Sequence, residues 1–173
     1  MRGENSVKQS VILYLVFAVL TGCGLGTSAE NQTKVLGREI DTVAKPAIKV
    51  VDAFHKALMT NDANQALALL ADDVLIYESG GAEASKAEYA SHHLAADMAF
   101  LKNVRQSIVT RSAQASGDTA LVTSQGKTIG MYKDKAIDSV STETMVLRLV
   151  GQQWKIVHIH WSSADNKPKL PTL

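Results

Sequence analysis

Four ionisable side chains could act together: Glu78, His93, Asp97 and Glu143. His93 and Asp97 are four residues apart, a separation that lets two side chains touch on one helix face. A carboxylate beside an imidazole raises its basicity and fixes its tautomer. Such a pair suits general acid–base work on an organic ligand, and a structural ion pair would have the same spacing. The same nitrogen and oxygen donors also suit zinc, manganese or iron. Glu143 begins a stretch in which Met145, Leu147 and Leu149 take the alternate positions. Period two therefore sets one acid on an otherwise apolar strand face, a costly place unless the acid is paired or used. Glu78 stands before Gly80-Gly81, where it reads equally as a turn-stabilising acid and as a pocket acid. Tyr89, Met145 and Trp161 are the expected walls of that pocket.

These residues must be positioned by helices and strands that the pattern marks out. Pro46 fits a first helical turn, where its missing N–H costs nothing. Ala47, Val50, Val51, Phe54 and Leu58 then form one helical stripe, with His55 at its edge as a half-buried surface histidine. Asn61-Asp62 ends that helix. Asp62 can cap a second one, whose apolar residues are Leu67, Leu69 and Leu70 and which Asp72-Asp73 breaks. A short strand spans 74–78. Ser85-Lys86-Ala87-Glu88 is a capping box, opening a helix to about Lys102 with His93 and Asp97 in the middle of a broad apolar face. His92 points about 100° away.

Strands are expected over 105–115, 119–132, 136–150 and 154–163, separated by Gly117-Asp118, Lys133-Asp134-Lys135 and Gly151-Gln152-Gln153. Consecutive strands joined by tight polar turns pair antiparallel. The order α-α-β-α-β-β-β-β gives an α+β fold with helices segregated to one face. On the last strand, alternation groups Val157, Ile159 and Trp161 against Trp154, Ile156, His158 and His160. The His158/His160 spacing resembles a metal pair, but its face better suits a second sheet or a partner chain. Residues 164–173, with Pro168 and Pro171, read as a loose tail.

The 173 residues are 46% hydrophobic and 20% charged, with net charge +1. That composition is globular and has no basic block, so nucleic acid is not an expected partner. Cys23 is the single cysteine, which excludes an intramolecular disulfide and multi-thiolate metal sites. No nucleophile motif, phosphate loop or dinucleotide fingerprint occurs, so no cofactor is expected. Val11 to Leu20 is an unbroken apolar run after Arg2 and Lys8. It covers about 15 Å of helix, half of a roughly 30 Å bilayer core, which fits a signal peptide rather than a span. Leu20-Thr21-Gly22-Cys23 resembles the lipobox of bacterial lipoproteins, whose cysteine is acylated after cleavage before it. Cleavage after Ala29 is the alternative. Gly24 does not resemble the aspartate signal for inner-membrane retention. The expectation is a signal peptide at 1–22, a tether at 23–45 anchored to the envelope by a lipid on Cys23 (the outer membrane, facing the periplasm, in a cell that has one), and a domain at 46–163.

That domain, closing on Trp154-Lys-Ile-Val-His-Ile-His160-Trp-Ser-Ser163, resembles the SnoaL-like branch of the nuclear transport factor 2-like superfamily. The closing pattern, with Ser141-Thr142-Glu143-Thr144, is also similar to the association domain of calcium/calmodulin-dependent kinase. The resemblance implies a cone-shaped, cystatin-like α+β barrel with a pocket between a curved sheet and its helices, frequently dimeric. Its members include isomerases, polyketide cyclases, dehydratases and non-catalytic assembly modules. Glu78 is similar in position to an acid near the kinase domain's pocket. The arginines of that pocket align with Gly126, Met145 and Trp161, so its anion-binding character is not expected and a more apolar pocket is. Three readings follow. One is a pocket for a small, largely apolar molecule, with or without acid–base chemistry. The second is a metal site built from Glu78, His93 and Asp97, with His160 as a further ligand. The third is a dimerising module with no catalysis.

Overall fold

The computed structural model describes residues 40–166. The signal peptide and Cys23, the tether before residue 40 and the tail after residue 166 lie outside the described residues.

Asp41 caps a short 3-10 turn, Thr42–Ala44, by accepting from the Val43 N–H. Its own N–H donates to the Ala113 carbonyl at 3.0 Å, and Ala44 is fully buried. The end of the expected tether is therefore part of the fold. Helix α1 (Lys45–Met59) opens on Pro46 and buries Ala47, Val51, Phe54, Ala57 and Leu58. Asp62 caps α2 (Ala63–Leu69) through the Gln65 N–H. The Asp72-Asp73 pair does not end a helix: strand β1 (Leu70–Glu78) already runs through it. Ser79 and Gly80, both at positive φ, turn β1 into the short β2 (Gly81–Glu83), which pairs antiparallel with it. This two-residue hairpin conformation suits glycine and small polar residues.

The capping box forms. Ser85 Oγ accepts from the Glu88 N–H, and the Glu88 carboxylate reaches back to the Ala84 N–H at 2.8 Å. The helix behind it is two helices, α3 (Lys86–His92) and α4 (Leu94–Leu101), joined at His93 with φ −105°. Then come β3 (Val104–Ser116), β4 (Thr119–Tyr132), β5 (Lys135–Val150) and β6 (Gln153–Asp165). Asn166 bonds back to Asp138, so the loose tail cannot begin at 164.

The six strands make one curved sheet in the order β2-β1-β6-β5-β4-β3. β3 to β6 pair antiparallel as consecutive hairpins. The expectation of a wholly antiparallel sheet needs correcting, because β1 lies parallel to β6. The helices that separate β1 from the later strands make that parallel return possible.

Directly opposed residues share a face, so the register sorts the interior into rows. Ala115, Ala120, Leu147, Ile156 and Leu70 form one row, and Ala113, Val122, Met145, Ile159 and Ile76 the next. Nearly all are buried and form the core. A bulge between Val146/Leu147 and their β6 partners lets Ile156 and Ile159 both point inward. That corrects the simple alternation, which put Ile156 with His158. The third row is Arg111, Ser124, Glu143, Trp161 and Glu78; the fourth contains Gly126, Ser141 and Ser163. Side-chain volume falls from Leu, Ile and Met to Ser and Gly along the sheet, and the interior opens where it does.

Candidate functional site

The opening is a cavity of about 440 Å³ between α1, α4 and the concave sheet face. Leu58, Phe100 and Leu101 supply apolar wall; Ser107, Ser139, Ser141 and Ser163 supply hydroxyls. The lining is mixed, with apolar surface predominating, as expected.

Glu143 stands at the centre of the third row, 9% exposed. Its Oε2 accepts from Trp161 Nε1 at 2.8 Å and from His55 Nε2 at 2.8 Å. Burial pushes its pKa up, but these two donors and the nearby Arg111 charge outweigh burial and hold it below the usual glutamate value. It is an ionised, paired buried acid. Trp161 is fixed twice, by Glu143 and by a near-parallel stack on Phe54 with 6.4 Å between ring centres. Beside them Arg111 gives Nη1 to Asp52 at 2.6 Å and Nε to Ser124 Oγ at 3.1 Å. α1 supplies both partners, His55 and Asp52, from adjacent turns.

Asp97 lines the same cavity from α4. Its Oδ2 accepts from the Tyr89 hydroxyl at 2.8 Å. Burial is the main cause that pushes its pKa up to about 6, against the Tyr89 hydrogen bond, which lowers it; Glu78 and Glu83 add to the rise. Tyr89 is itself fully buried, and burial with the Asp97 charge pushes its hydroxyl pKa up.

His93 and Asp97 do not pair directly. At the α3–α4 joint the His93 ring turns to Glu83 on β2, to which its Nδ1 hydrogen-bonds, and that bond raises its pKa. His93 is largely exposed while Glu83 is buried. These two, with Glu78, Tyr89 and Trp161, line a second cavity of about 330 Å³. Burial raises the pKa of Glu78, with opposing influence from His93. Glu78 and Trp161 line both cavities, and the Tyr89–Asp97 bond bridges a residue of each.

A SnoaL-like domain model matches residues 48–166. The chain belongs to the SnoaL-like family. A candidate ketosteroid isomerase from Shewanella frigidimarina is 42% identical, with a TM-score of 0.67 over 70% of this chain and 98% of that one. A candidate calcium/calmodulin-dependent kinase II association domain from Xanthomonas campestris is 20% identical, with a TM-score of 0.60 over 76% and 96%. A candidate dehydratase of the NTF2-like family from Streptomyces avermitilis is 20% identical, with a TM-score of 0.59 over 72% and 97%. The last two share the fold alone. No curated protein matches this chain.

Within this SnoaL-like domain, Glu78, Asp97, Glu143 and Trp161 meet at the main cavity. Tyr89 and His93 belong to the second cavity. Met145 lines neither: it is fully buried one row deeper, in the core, so it is not a wall. His160 faces away from the metal set proposed with it. It lies opposite Tyr77 on the outer sheet face, and its ring packs edge-on against that ring at 6.3 Å. Among the described residues no three His, Cys, Asp or Glu side chains gather as a metal site. The sequence reading missed Asp52 and Arg111, and took His55, which pairs with Glu143 at the cavity, for a half-buried surface histidine. Asp52 and His55 are one helical turn apart on α1, a signal that was available; their partners on β5 and β3 were not.

Proposed function

We propose that the main cavity binds a small, largely apolar organic molecule and that Asp97 moves a proton on it. One observation carries this reading: a carboxylate with its pKa pushed up to about 6 on the wall of a cavity of about 440 Å³. A base titrating near neutrality combines availability with driving force. Tyr89 occupies one oxygen, Oδ2, and steadies the carboxylate. The reaction that fits is isomerisation of a β,γ-unsaturated ketone. Asp97 takes a proton from the carbon between carbonyl and alkene, and the carboxylic acid returns it to the far alkene carbon. The likeness to the Shewanella protein agrees with this reaction class. The chain is further proposed to be exported and lipid-anchored at Cys23.

The test is conversion of such a cyclic ketone to its conjugated isomer, followed by ultraviolet absorbance. Turnover that rises with pH through about 6 and falls at least about 100-fold in Asp97→Asn is expected. Binding without turnover in the wild type would reduce the site to a binding pocket. Full activity in the variant would remove Asp97 from the chemistry.

We also propose a homodimer built through the outer sheet face. Its support is the row Ser112, Thr123, Thr144, His160, Tyr77 and the row Gln114, Leu121, Val146, His158, Leu75, which contain no Asp, Glu, Lys or Arg. Sedimentation of Thr144→Lys should show monomer where the wild type shows dimer; a monomeric wild type would contradict the pairing.

A further inference from the structure

We propose that Asp52 sets the charge selectivity of the main cavity, so that it takes an uncharged carbonyl or hydroxyl compound and rejects a carboxylate. This rests on reading that cavity as a ligand site. Three basic side chains line it, and each is already matched to an acid. Arg111 is matched by Asp52 at 2.6 Å, Lys127 by Asp138 at 3.4 Å, and His55 by Glu143 at 2.8 Å. Arg111 also commits Nε to Ser124. Asp97 and Glu78 line the same cavity, and among the described residues neither makes an ion pair. An anionic ligand would leave water to meet two carboxylates that no ion pair neutralises, with no basic group free to receive it. A neutral ligand avoids both costs. Its apolar body can lie against Leu58, Phe100 and Leu101, and its oxygen against the serine hydroxyls.

Asp52 is the member of this arrangement that can be changed without rebuilding it. Its side chain is 55% exposed on α1, whereas that of Arg111 is 11% exposed. Asp52→Asn keeps the shape and an accepting oxygen but removes the charge, leaving Arg111 without its ion-pair partner at the cavity. Glu143, whose charge Arg111 also feels, stays held by His55 and Trp161 in both proteins.

The experiment is calorimetric titration of the purified protein, at slightly alkaline pH, with two probes of matched shape. These are 2-acetylnaphthalene, which is neutral, and 2-naphthoate, which is anionic. The wild type is expected to bind the ketone at least about tenfold more tightly than the carboxylate. Asp52→Asn should shift that ratio toward the carboxylate by about tenfold, the order of one well-solvated charge–charge contact. Adding Arg111→Gln to Asp52→Asn should restore the original preference. Equal affinities in the wild type, or an unchanged ratio in Asp52→Asn, would overturn the charge rule while leaving the ligand site standing. If neither probe binds either protein, the ligand-site reading falls and the proposal with it.

Discussion

At Asp97 two effects oppose each other: burial raises its pKa, and the Tyr89 hydroxyl lowers it less than burial raises it. A carboxyl whose folded pKa is raised favours the fold most when protonated in both states. Its contribution is full below about pH 4 and is lost as pH rises through about 6. Asp97→Asn should therefore stabilise the protein at neutral pH, by on the order of 1–2 kcal/mol once partial exposure is discounted. The gain should vanish below about pH 4, as denaturant melts at both pH values would show. Glu143 has the opposite sign. Its folded pKa is lowered, so its contribution is present above the unfolded value and is lost as pH falls through the folded one. Glu143→Gln should lose about 1–3 kcal/mol at neutral pH, with the loss shrinking in acid. Glu143 was legible because period two exposed an acid among Met145 and Leu147. Its partners were not, because a helix stripe records which residues face inward and not which strand residue waits opposite. His93–Asp97 misled for a related reason. Spacing permits the contact, but Glu83 and Tyr89, on other turns and another element, compete better for each side chain.

Among the elements, the capping box decides where α3 begins, and α3 presents Tyr89. Ser85→Ala removes the oxygen that accepts from the Glu88 N–H and should cost about 1 kcal/mol, measured by thermal or denaturant unfolding. Gly130 makes a sharper case. A Cβ there would sit 2.8 Å from the Asn103 carbonyl oxygen and 2.9 Å from Val104 Cα, both backbone atoms. Gly130→Ala should therefore destabilise the α4–β3 passage over β4 by about 1–3 kcal/mol. Helix caps and hairpin turns were readable because they depend on residues close in sequence. The parallel β1–β6 pairing and the β6 bulge were not. Both depend on which chain segments return to the same place, and the bulge alone moved Ile156 to the interior.

For the whole molecule, the order of helices and strands carried the α+β class and the family, since each depends on the sum of many weak signals. The proposed delivery to the envelope rests on the N-terminal sequence. Cys23→Ser should abolish metabolic labelling by a fatty acid and release the protein into the soluble fraction; unchanged membrane association would remove the anchor. The cavity and the proposed chemistry meet at one carboxyl, so the most direct measurement is the carboxyl-carbon NMR titration of Asp97, without and with 2-acetylnaphthalene. A midpoint near 6 in the free protein, moving higher when the ketone displaces water from the cavity, is the expected result. A midpoint near the ordinary value of 3.8 that does not respond to the ketone would contradict both the buried base and the ligand site.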